Sequence, residues 1–274
     1  MRNYPQRKVC QLLGIPASTL YYRRLHPKRF AYSLEEQAAV EQMYYRHFGS
    51  FGRRALHYEL KKENISISEH KISRILKELG LQSKYGRRKC HNVHTCKESA
   101  ERYISDNLYP NLSKEDQCKE IWSMDFTEQR VDGKKVISCG IVSVNSKQLI
   151  ALVSDVRNNK QSACRALKQG IEQYGVPYMV MTDRGSPFIS KSFNDELAAC
   201  GTLHSMSRPH TPIDNRFIET FWKSMKTEIG KVTHLPVESY LSILGYYAQY
   251  YNNIRPHSTL GYLTPMAYRQ ATVI

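Results

Sequence analysis

Three acidic residues have sequence surroundings that suit metal-dependent chemistry on phosphodiesters. Asp125 lies in the segment IWSMDFT, Asp183 ends the apolar run PYMVMTD, and Glu219 lies in the amphipathic segment DNRFIETFWKSMKTE. Carboxylates are ligands that Mg²⁺ prefers, and three of them can hold two ions about 3.5–4 Å apart. Such a pair stabilises the attacking and leaving oxygens of an in-line displacement. The residue types predict two Mg²⁺ ions, with Mn²⁺ as a substitute.

These carboxylates can meet only if the elements that carry them are neighbours in one fold. From residue 121 the pattern predicts three strands, in IWSMDFTEQRV, KKVISCGIVSV and KQLIALVSDV. The next predicted elements are a helix from about 159 to 174, a strand in VPYMVMTD, a helix near 190–200, a strand in GTLHSM and a helix from about 215 to 229. This order predicts an α/β fold with a mixed five-stranded sheet flanked by helices.

The predicted elements place each carboxylate at a polar position. In the first strand, Asp125 alternates with apolar residues and should face away from them. Asp183 follows a buried strand at its carboxyl end, where open sheets carry their sites, and Glu219 borders a buried helical stripe. The spacing of the acids alone is weak evidence. A pair of acids 36 positions apart, as Asp183 and Glu219 are, arises roughly twice by chance in a chain of this composition. An isolated Asp at a strand end is more often a cap or turn residue.

The charge of the chain favours a polyanionic partner. Lys and Arg number 40 against 25 Asp and Glu, which gives a net charge of +15. Residues 1–120 hold 23 basic and 13 acidic residues, a balance of +10. Double-stranded DNA is the predicted partner, with a merely solvated basic surface as the alternative. No run of about 18 apolar residues is present, so we expect a cytoplasmic protein that does not enter a membrane.

Residues 5–25 have the outline of a helix-turn-helix. Gly14 suits the end of one helix, and Ser18 can cap the next. The second helix would present Tyr22, Arg23 and Arg24 outward as candidate DNA contacts. Mere packing of two short helices is an equally weighted alternative.

Residues 34–81 are predicted to form a second helical module of three helices that ends at a Gly80 cap. Its candidate DNA contacts are Arg53 and Arg54 at a helix start, and Lys71 and Arg74 beside a buried stripe in the last helix. A solvated charged face is the alternative interpretation.

A basic linker follows this module. The cluster KYGRRK contains Arg87, Arg88 and Lys89, which we predict to follow the DNA backbone. The four Cys and His residues between positions 90 and 96 are too closely spaced to surround a zinc ion, so no zinc site is predicted.

Other residues near these motifs are interpreted as structural. Asp214 is expected to cap the helix that carries Glu219, Asp155 to end a strand, and Glu228 to have no special role. The tail YYNNIRPHSTLGYLTP is expected mainly to pack and turn, with Arg255 and His257 as candidate contacts to the DNA backbone.

The segments WSMDFTE, VMTDRGSPF and TPIDNRFIETFWKSMKTE, together with the tail YYNNIRPHSTLGYLTPMAY, resemble the catalytic core of retroviral-integrase-like transposases. The similarity is greatest to the second-frame (OrfB) transposases of bacterial insertion sequences. LGIPASTLYYRR and the stretch from FGSFGRRALHYEL to RILKELGL resemble the helix-turn-helix region of that family. The resemblance covers nearly the whole chain.

The resemblance implies a ribonuclease H-like fold with Asp125, Asp183 and Glu219 as catalytic metal ligands. It also implies that Lys226 contacts the element end, and Lys223 lies on the same border of the helix. Arg216 departs from the small residue more often found there; it could perturb the site or contact DNA. The implied reaction is cleavage at the element 3′ end, followed by attack of the freed hydroxyl on another phosphodiester without a covalent protein–DNA intermediate.

The predicted function is therefore that of an insertion-sequence DNA transposase. The resemblance implies two protein partners, the first-reading-frame transposase protein and further copies of this chain in a synaptic complex. A degenerate, non-catalytic helix-turn-helix regulator is the alternative, while the acid-bearing strands speak against a tyrosine recombinase. The predicted segments are a helix-turn-helix-like arm (1–30), a helical DNA-binding module (31–82), a basic linker (83–117), the catalytic core (118–232) and a C-terminal helical extension (233–274).

Overall fold

The computed structural model describes residues 32–85, 104–156, 161–209 and 211–272. They form two compact units, one comprising residues 32–46 and 52–82, the other residues 47–51 and 83–272. The predicted contacts at Tyr22, Arg23 and Arg24, and those at Arg87, Arg88 and Lys89, lie outside the described residues.

The first unit consists of the three predicted helices, α1 (Leu34–Arg46), α2 (Arg53–Lys62) and α3 (Glu69–Glu78). Helix α3 begins after Ser68, whose hydroxyl accepts a hydrogen bond from the backbone N–H of Lys71. It ends before Gly80, which has a φ of 66° and thereby confirms the predicted cap. Apolar residues of all three helices are buried, namely Val40, Met43, Leu56, Leu60, Ile72, Ile75 and Leu76.

The second unit alternates strands and helices in the predicted order. Its strands are β1 (Ile121–Val131), β2 (Lys134–Ser143), β3 (Leu149–Asp155), β4 (Met179–Thr182) and β5 (Leu203–Met206). Its helices are α4 (Lys114–Gln117), α5 (Gln161–Tyr174), α6 (Lys191–Ala199), α7 (Arg216–Ile229), α8 (Val237–Asn253) and α9 (Pro265–Thr272). None of the described helices is long and apolar enough to cross a membrane.

The five strands form one mixed sheet in the order β3-β2-β1-β4-β5. Strands β1, β2 and β3 pair antiparallel, whereas β4 runs parallel to both β1 and β5. This arrangement confirms the predicted α/β class and the ribonuclease H-like fold. The central strand β1 thus has a neighbour on each side, and its residues are buried from Ile121 to Asp125.

Two hydrophobic clusters cover the sheet. One joins Trp122 and Met124 of β1 to apolar residues of α5 and α6. The other joins β2 and β3 residues to α7 and to the tyrosine-rich helix α8. Neighbouring strand residues point to opposite faces of the sheet. Ser123 and Asp125, which lie on either side of Met124 in the sequence, therefore face α7. The predicted separation of Asp125 from its apolar neighbours follows from this arrangement.

Candidate active site

Asp125 lies on the central strand of the sheet, on the face covered by α7. It pairs in register with Gly140 of β2, and only 9% of its surface is exposed. The space beside Gly140 is taken by the ring of Trp222, which a side chain at this position would displace. The strand thus holds an ionisable group in a largely buried position next to an indole ring.

Asp183 immediately follows β4, the strand parallel to β1. Ser123 pairs with Met181 in this register, so Asp125 and Asp183 each lie two residues further along their strands. Equivalent positions on parallel neighbours place the two carboxylates beside each other. The backbone N–H of Gly185 donates a hydrogen bond of 2.9 Å to Oδ1 of Asp183, which fixes the orientation of this carboxylate.

Glu219 lies in the first turn of α7, and its side chain is exposed. The start of this helix is held against the sheet by Ser123, whose hydroxyl donates a 2.7 Å hydrogen bond to Oδ1 of Asn215. Asn215 is the buried residue that precedes the first turn. Neither Ser123 nor Asn215 was predicted as a site residue from the sequence. The alternation of polar and apolar residues in β1 nevertheless indicates that Ser123 faces the same side of the sheet as Asp125.

The three carboxylates interact electrostatically. Burial, reinforced by the negative charges of Asp183 and Glu219, raises the pKa of Asp125 to about 7. The Phe126 backbone N–H and the Trp222 indole partly oppose this rise in pKa. Burial also raises the pKa of Asp183, against the hydrogen bond from Gly185. A cation at this position would offset both the burial and the repulsion that raise the pKa of Asp125.

The donor chemistry fits Mg²⁺ or Mn²⁺, which favour carboxylate oxygens. The described residues nevertheless contain no group of three or more Asp, Glu, His or Cys side chains close enough to hold a metal ion as they stand. Asp125 and Asp183 are placed by the sheet, whereas Glu219 has the freedom of an exposed side chain. Glu219 is therefore the ligand whose side chain would have to close the set.

Basic residues follow Glu219 along the same helix. Lys223 and Lys226 are exposed, one turn and two turns after Glu219, and in the described part of the chain neither forms an ion pair. Arg216 is also exposed, and its guanidinium lies 4.8 Å from the centre of the Phe217 ring. Lys147 lies 4.7 Å from the same ring, and burial followed by repulsion from Arg216 lowers the pKa of Lys147. This side of α7 is suited to phosphates.

In the first unit the candidate DNA contacts differ in their availability. Arg53 and Arg54 approach the carboxylate of Glu69 at 3.4 and 3.9 Å but remain at least half exposed. The ammonium group of Lys71 forms a 2.8 Å ion pair with Glu36, which corrects the expectation that it is free. The apolar stripe of α3, which consists of Ile72, Ile75 and Leu76, is buried. Lys71 lies beside this stripe, next to Glu36 of α1.

Arg74 is exposed on α3 and forms no ion pair with a described residue. Its guanidinium is therefore available to contact DNA, as the sequence pattern predicts. Lys77, one turn later on the same helix, is likewise exposed. These two cations leave the outer side of α3 positively charged.

Two structural interpretations from the sequence were wrong. Asp214 does not cap α7; its carboxylate accepts hydrogen bonds from the backbone and guanidinium of Arg208. Glu228, expected to be ordinary, is fully buried and accepts hydrogen bonds from Arg255, Tyr85 and Tyr247. The interpretation of Asp155 as a strand end is confirmed.

Arg255 and His257 are also more buried than candidate DNA contacts should be. The guanidinium of Arg255 is 11% exposed and pairs with Glu228 of α7, so it is not available to a backbone phosphate. His257 is 9% exposed, and burial, reinforced by the charge of Arg255, lowers its pKa to about 3. No local signal in the sequence marked this pairing, because its partners lie on different elements.

Three protein-family models match parts of the chain. Residues 115–212 and residues 201–265 each match an integrase core domain family. Residues 32–89 match an HTH-like domain family. Asp125 and Asp183 lie in the first of the integrase core matches, and Glu219 lies in the second.

Related proteins are similar over most of their length. A protein of insertion element IS407 from Burkholderia multivorans is 27% identical, over 96% of this chain and 90% of its own length. The transposase for insertion sequence element IS904 from Lactococcus lactis is 25% identical, over 82% of this chain and 90% of its own. Among solved structures, the HTLV-2 integrase catalytic core domain in complex with magnesium is 16% identical, with a TM-score of 0.44, over 55% of this chain and 95% of that one.

Proposed function

The chain belongs to the integrase-core transposases of insertion sequences, which are DDE-type polynucleotidyl transferases, and we propose that it binds its element's ends and performs 3′-end cleavage and strand transfer there. The first step hydrolyses a phosphodiester and frees a 3′-hydroxyl. In the second step this hydroxyl attacks another phosphodiester, and the former bridging oxygen leaves. The number of phosphodiester bonds is unchanged by the second step, so it needs no external energy source.

The observation that carries the proposal is the placement of the acids. The parallel register of β1 and β4 sets Asp125 and Asp183 side by side, and the charge of Glu219 acts on Asp125 from α7. A carboxyl pKa that is raised by burial and by neighbouring carboxylates is typical of a functional site. In a structural ion-pair network, by contrast, the nearest partners of an acid are basic.

Each acid has a distinct part in the proposed site. Asp125, Asp183 and Glu219 are the ligands for Mg²⁺ or Mn²⁺, which when bound would stabilise the charge that develops on attacking and leaving oxygens. Asp125 contributes a buried ligand, and the Gly185 N–H holds the Asp183 carboxylate in one orientation. Glu219 completes the set from the exposed side of the site.

The basic residues are proposed to hold the DNA. Lys226, Lys223 and Arg216 share a helix with Glu219 and are exposed, so phosphates bound there lie near the acids. The HTH-like domain, with Arg53, Arg54 and Arg74, is proposed to bind the element end. The basic linker and the N-terminal arm are proposed to bind the element end as well. The proposed protein partners are the first-reading-frame protein and further copies of the chain.

The test is a cleavage and joining assay on labelled duplexes that carry the element ends with flanking DNA. Wild type and Asp183→Asn are each incubated with Mg²⁺, alone and with the first-frame protein, and products are resolved on a sequencing gel. The variant is expected to lose cutting by at least about 100-fold, since a metal ligand is removed, while DNA affinity stays within about threefold.

The matched control is Asp195→Asn, which makes the same chemical change at an exposed position on α6. It is expected to cut like wild type. Cutting by Asp183→Asn at the rate of Asp195→Asn would refute the triad. Binding without cutting by the wild type in every preparation would favour the regulatory function instead.

A further inference from the structure

Trp222 occupies a special position beside Asp125. It lies on α7, one turn after Glu219, and is 3% exposed. A Cβ atom at Gly140 would lie 2.7 Å from Cη2 and 2.9 Å from Cζ2 of its ring. Because Gly140 is the strand partner of Asp125, the indole fills the space next to the carboxylate.

The polar edge of this indole lacks an acceptor of normal geometry. Its Nε1 is buried and makes no hydrogen bond to any described residue. The same N–H lies close enough to Asp125 to lower the pKa of that carboxyl. Buried donors are nearly always paired, and one that stays unpaired loses the free energy of its hydration. A small movement of the carboxylate would satisfy it.

We propose that Trp222 is a positioning residue whose indole N–H donates a hydrogen bond to the ionised carboxylate of Asp125 when a divalent cation is bound. The indole would then hold the Asp125 carboxylate in one orientation. The inference rests on the metal-binding role of Asp125 in the proposed function. Trp222 and Glu219 share a helix, so the contact would also hold the backbone that carries Glu219 in place relative to Asp125.

Gly140 has a part in this arrangement. A Cβ atom at position 140 would lie 2.7 and 2.9 Å from two carbon atoms of the six-membered ring of Trp222, which is closer than van der Waals contact allows. The indole would have to move away, and its N–H would move with it. The glycine is therefore needed for close approach of the indole and not for its backbone freedom, because no positive φ is found there.

The test compares the two tryptophans of the chain. Trp222→Phe keeps an aromatic ring and removes the N–H. Trp122→Phe makes the same change at a fully buried position on the opposite face, where the indole donates to Glu120. Mn²⁺ affinity of the full chain is measured by isothermal titration calorimetry, and stability by urea unfolding. The calorimetric measurement needs no DNA and no turnover.

Trp222→Phe is expected to weaken Mn²⁺ binding by about fivefold, the value of one hydrogen bond, while Trp122→Phe stays within about twofold. Equal affinities in the two variants would overturn the inference, whatever their stabilities. If wild type and Asp125→Asn bind Mn²⁺ equally, the proposed function itself fails. Metal binding that depends on Asp125 and is insensitive to Trp222→Phe would reject the inference alone.

A second measurement does not depend on the folding of Trp222→Phe. In Trp122→Phe, Trp222 is the sole tryptophan, because the chain has two. Mg²⁺ is expected to change its emission, since the N–H gains a charged acceptor, and Asp125→Asn is expected to abolish that change. An emission spectrum that does not respond to Mg²⁺, at concentrations that saturate a parallel calorimetric titration with Mg²⁺, would overturn the inference.

Discussion

Glu228 and Arg255 form a buried ion pair inside the second unit. The carboxylate of Glu228 has no exposed surface, and the Arg255 guanidinium donates to it at 2.9 Å. Tyr85 and Tyr247 donate two further hydrogen bonds to this carboxylate. Because every group has a partner, the two charges are tolerated, and removal of either member leaves the other buried and unpaired.

We expect Arg255→Met to lower the free energy of unfolding by about 3–5 kcal/mol, since Glu228 would lose its counter-charge. Arg165→Met is the matched control, because its guanidinium is 50% exposed, Asp155 beside it is 30% exposed, and loss of this pair should cost about 0–1 kcal/mol. Urea unfolding followed by tryptophan fluorescence measures both. Equal losses in the two variants would contradict the account of the buried pair.

Burial keeps the imidazole of His204 neutral, and both of its nitrogens face polar groups. The side-chain amide nitrogen of Asn194 donates to two backbone carbonyls, so its Oδ1 must accept, and it lies 2.9 Å from Nδ1 of His204. Nε2 lies 2.9 Å from the hydroxyl of Thr182, which also lies 2.8 Å from the backbone oxygen of Asp183 and can donate its single proton to only one of the two. Burial lowers the pKa of His204 to about 4, from an ordinary value of 6.5.

Acid should therefore destabilise the second unit. Between pH 6.5 and about 4 the unfolded chain binds a proton at His204 that the folded chain does not. This contribution to stability is complete above pH 6.5 and falls by at most about 1.4 kcal/mol per pH unit below it. Urea unfolding at several pH values should show a shallower acid loss for His204→Gln than for wild type.

The exposed His234 provides the control for this pH dependence. His234→Gln should retain the acid loss of the wild type. Part of the slope should also persist in His204→Gln, because burial lowers the pKa of His257 to about 3. Identical slopes in His204→Gln and wild type would exclude the role assigned to His204.

At the scale of elements, the end of α3 depends on one backbone conformation. Gly80 has a φ of 66° with open space around it, so a substitution there is strained without being crowded. Gly80→Ala is expected to destabilise the first unit by about 1 kcal/mol. Gly52→Ala is the control, because Gly52 precedes α2 with a φ of −91° and also has open space.

Circular dichroism during thermal unfolding of the two glycine variants measures this difference. A loss for Gly52→Ala of about 0.5 kcal/mol is expected, because alanine is a poorer residue than glycine immediately before a helix. If Gly80→Ala unfolds at the temperature of Gly52→Ala, the left-handed conformation does not limit the stability of this helix end.

The order and type of the elements could be predicted from the sequence because those signals are local. Helix α7 was expected from about 215 to 229 and spans Arg216–Ile229, since its apolar residues recur at helical spacing. Alternation in β1 likewise separated Asp125 from Trp122 and Met124. Both patterns depend on periods of two to four residues and need no knowledge of the rest of the fold.

Contacts between distant segments could not be predicted in this way. The pairing of Glu228 with Arg255, and of Gly140 with Trp222, depends on which elements become neighbours. A glycine in a strand and an acid in an amphipathic helix each have several ordinary explanations. The three acids were predicted to be catalytic because their motifs resemble a family, while the residues that contact them carry no such signal.

For the whole molecule, the net charge of +15 predicts binding to DNA that weakens with salt. Each phosphate neutralised adds about 0.9 to the slope of log affinity against log salt. The triple variant Arg216→Gln, Lys223→Gln, Lys226→Gln should therefore reduce this slope by about 2–3. Fluorescence anisotropy of a labelled element end at several salt concentrations measures the slope.

A control with the same change of net charge is available. Lys119, Lys135 and Lys168 are exposed, and each is ion-paired with a carboxylate. Replacing all three by Gln should reduce the slope much less, because these lysines are already neutralised. If both triple variants reduce the slope equally, overall charge and not the surface of α7 governs DNA binding.

Helix α8 packs Tyr240, Leu244 and Tyr247 against α7, and it follows all five strands along the chain. During synthesis, Asp125, Asp183 and Glu219 therefore leave the ribosome before the residues of α8 that pack against α7. A nascent chain lacks the long-range contacts that fix α7 until α8 has emerged. We expect competence for DNA breakage to arise only after α8 has left the ribosome.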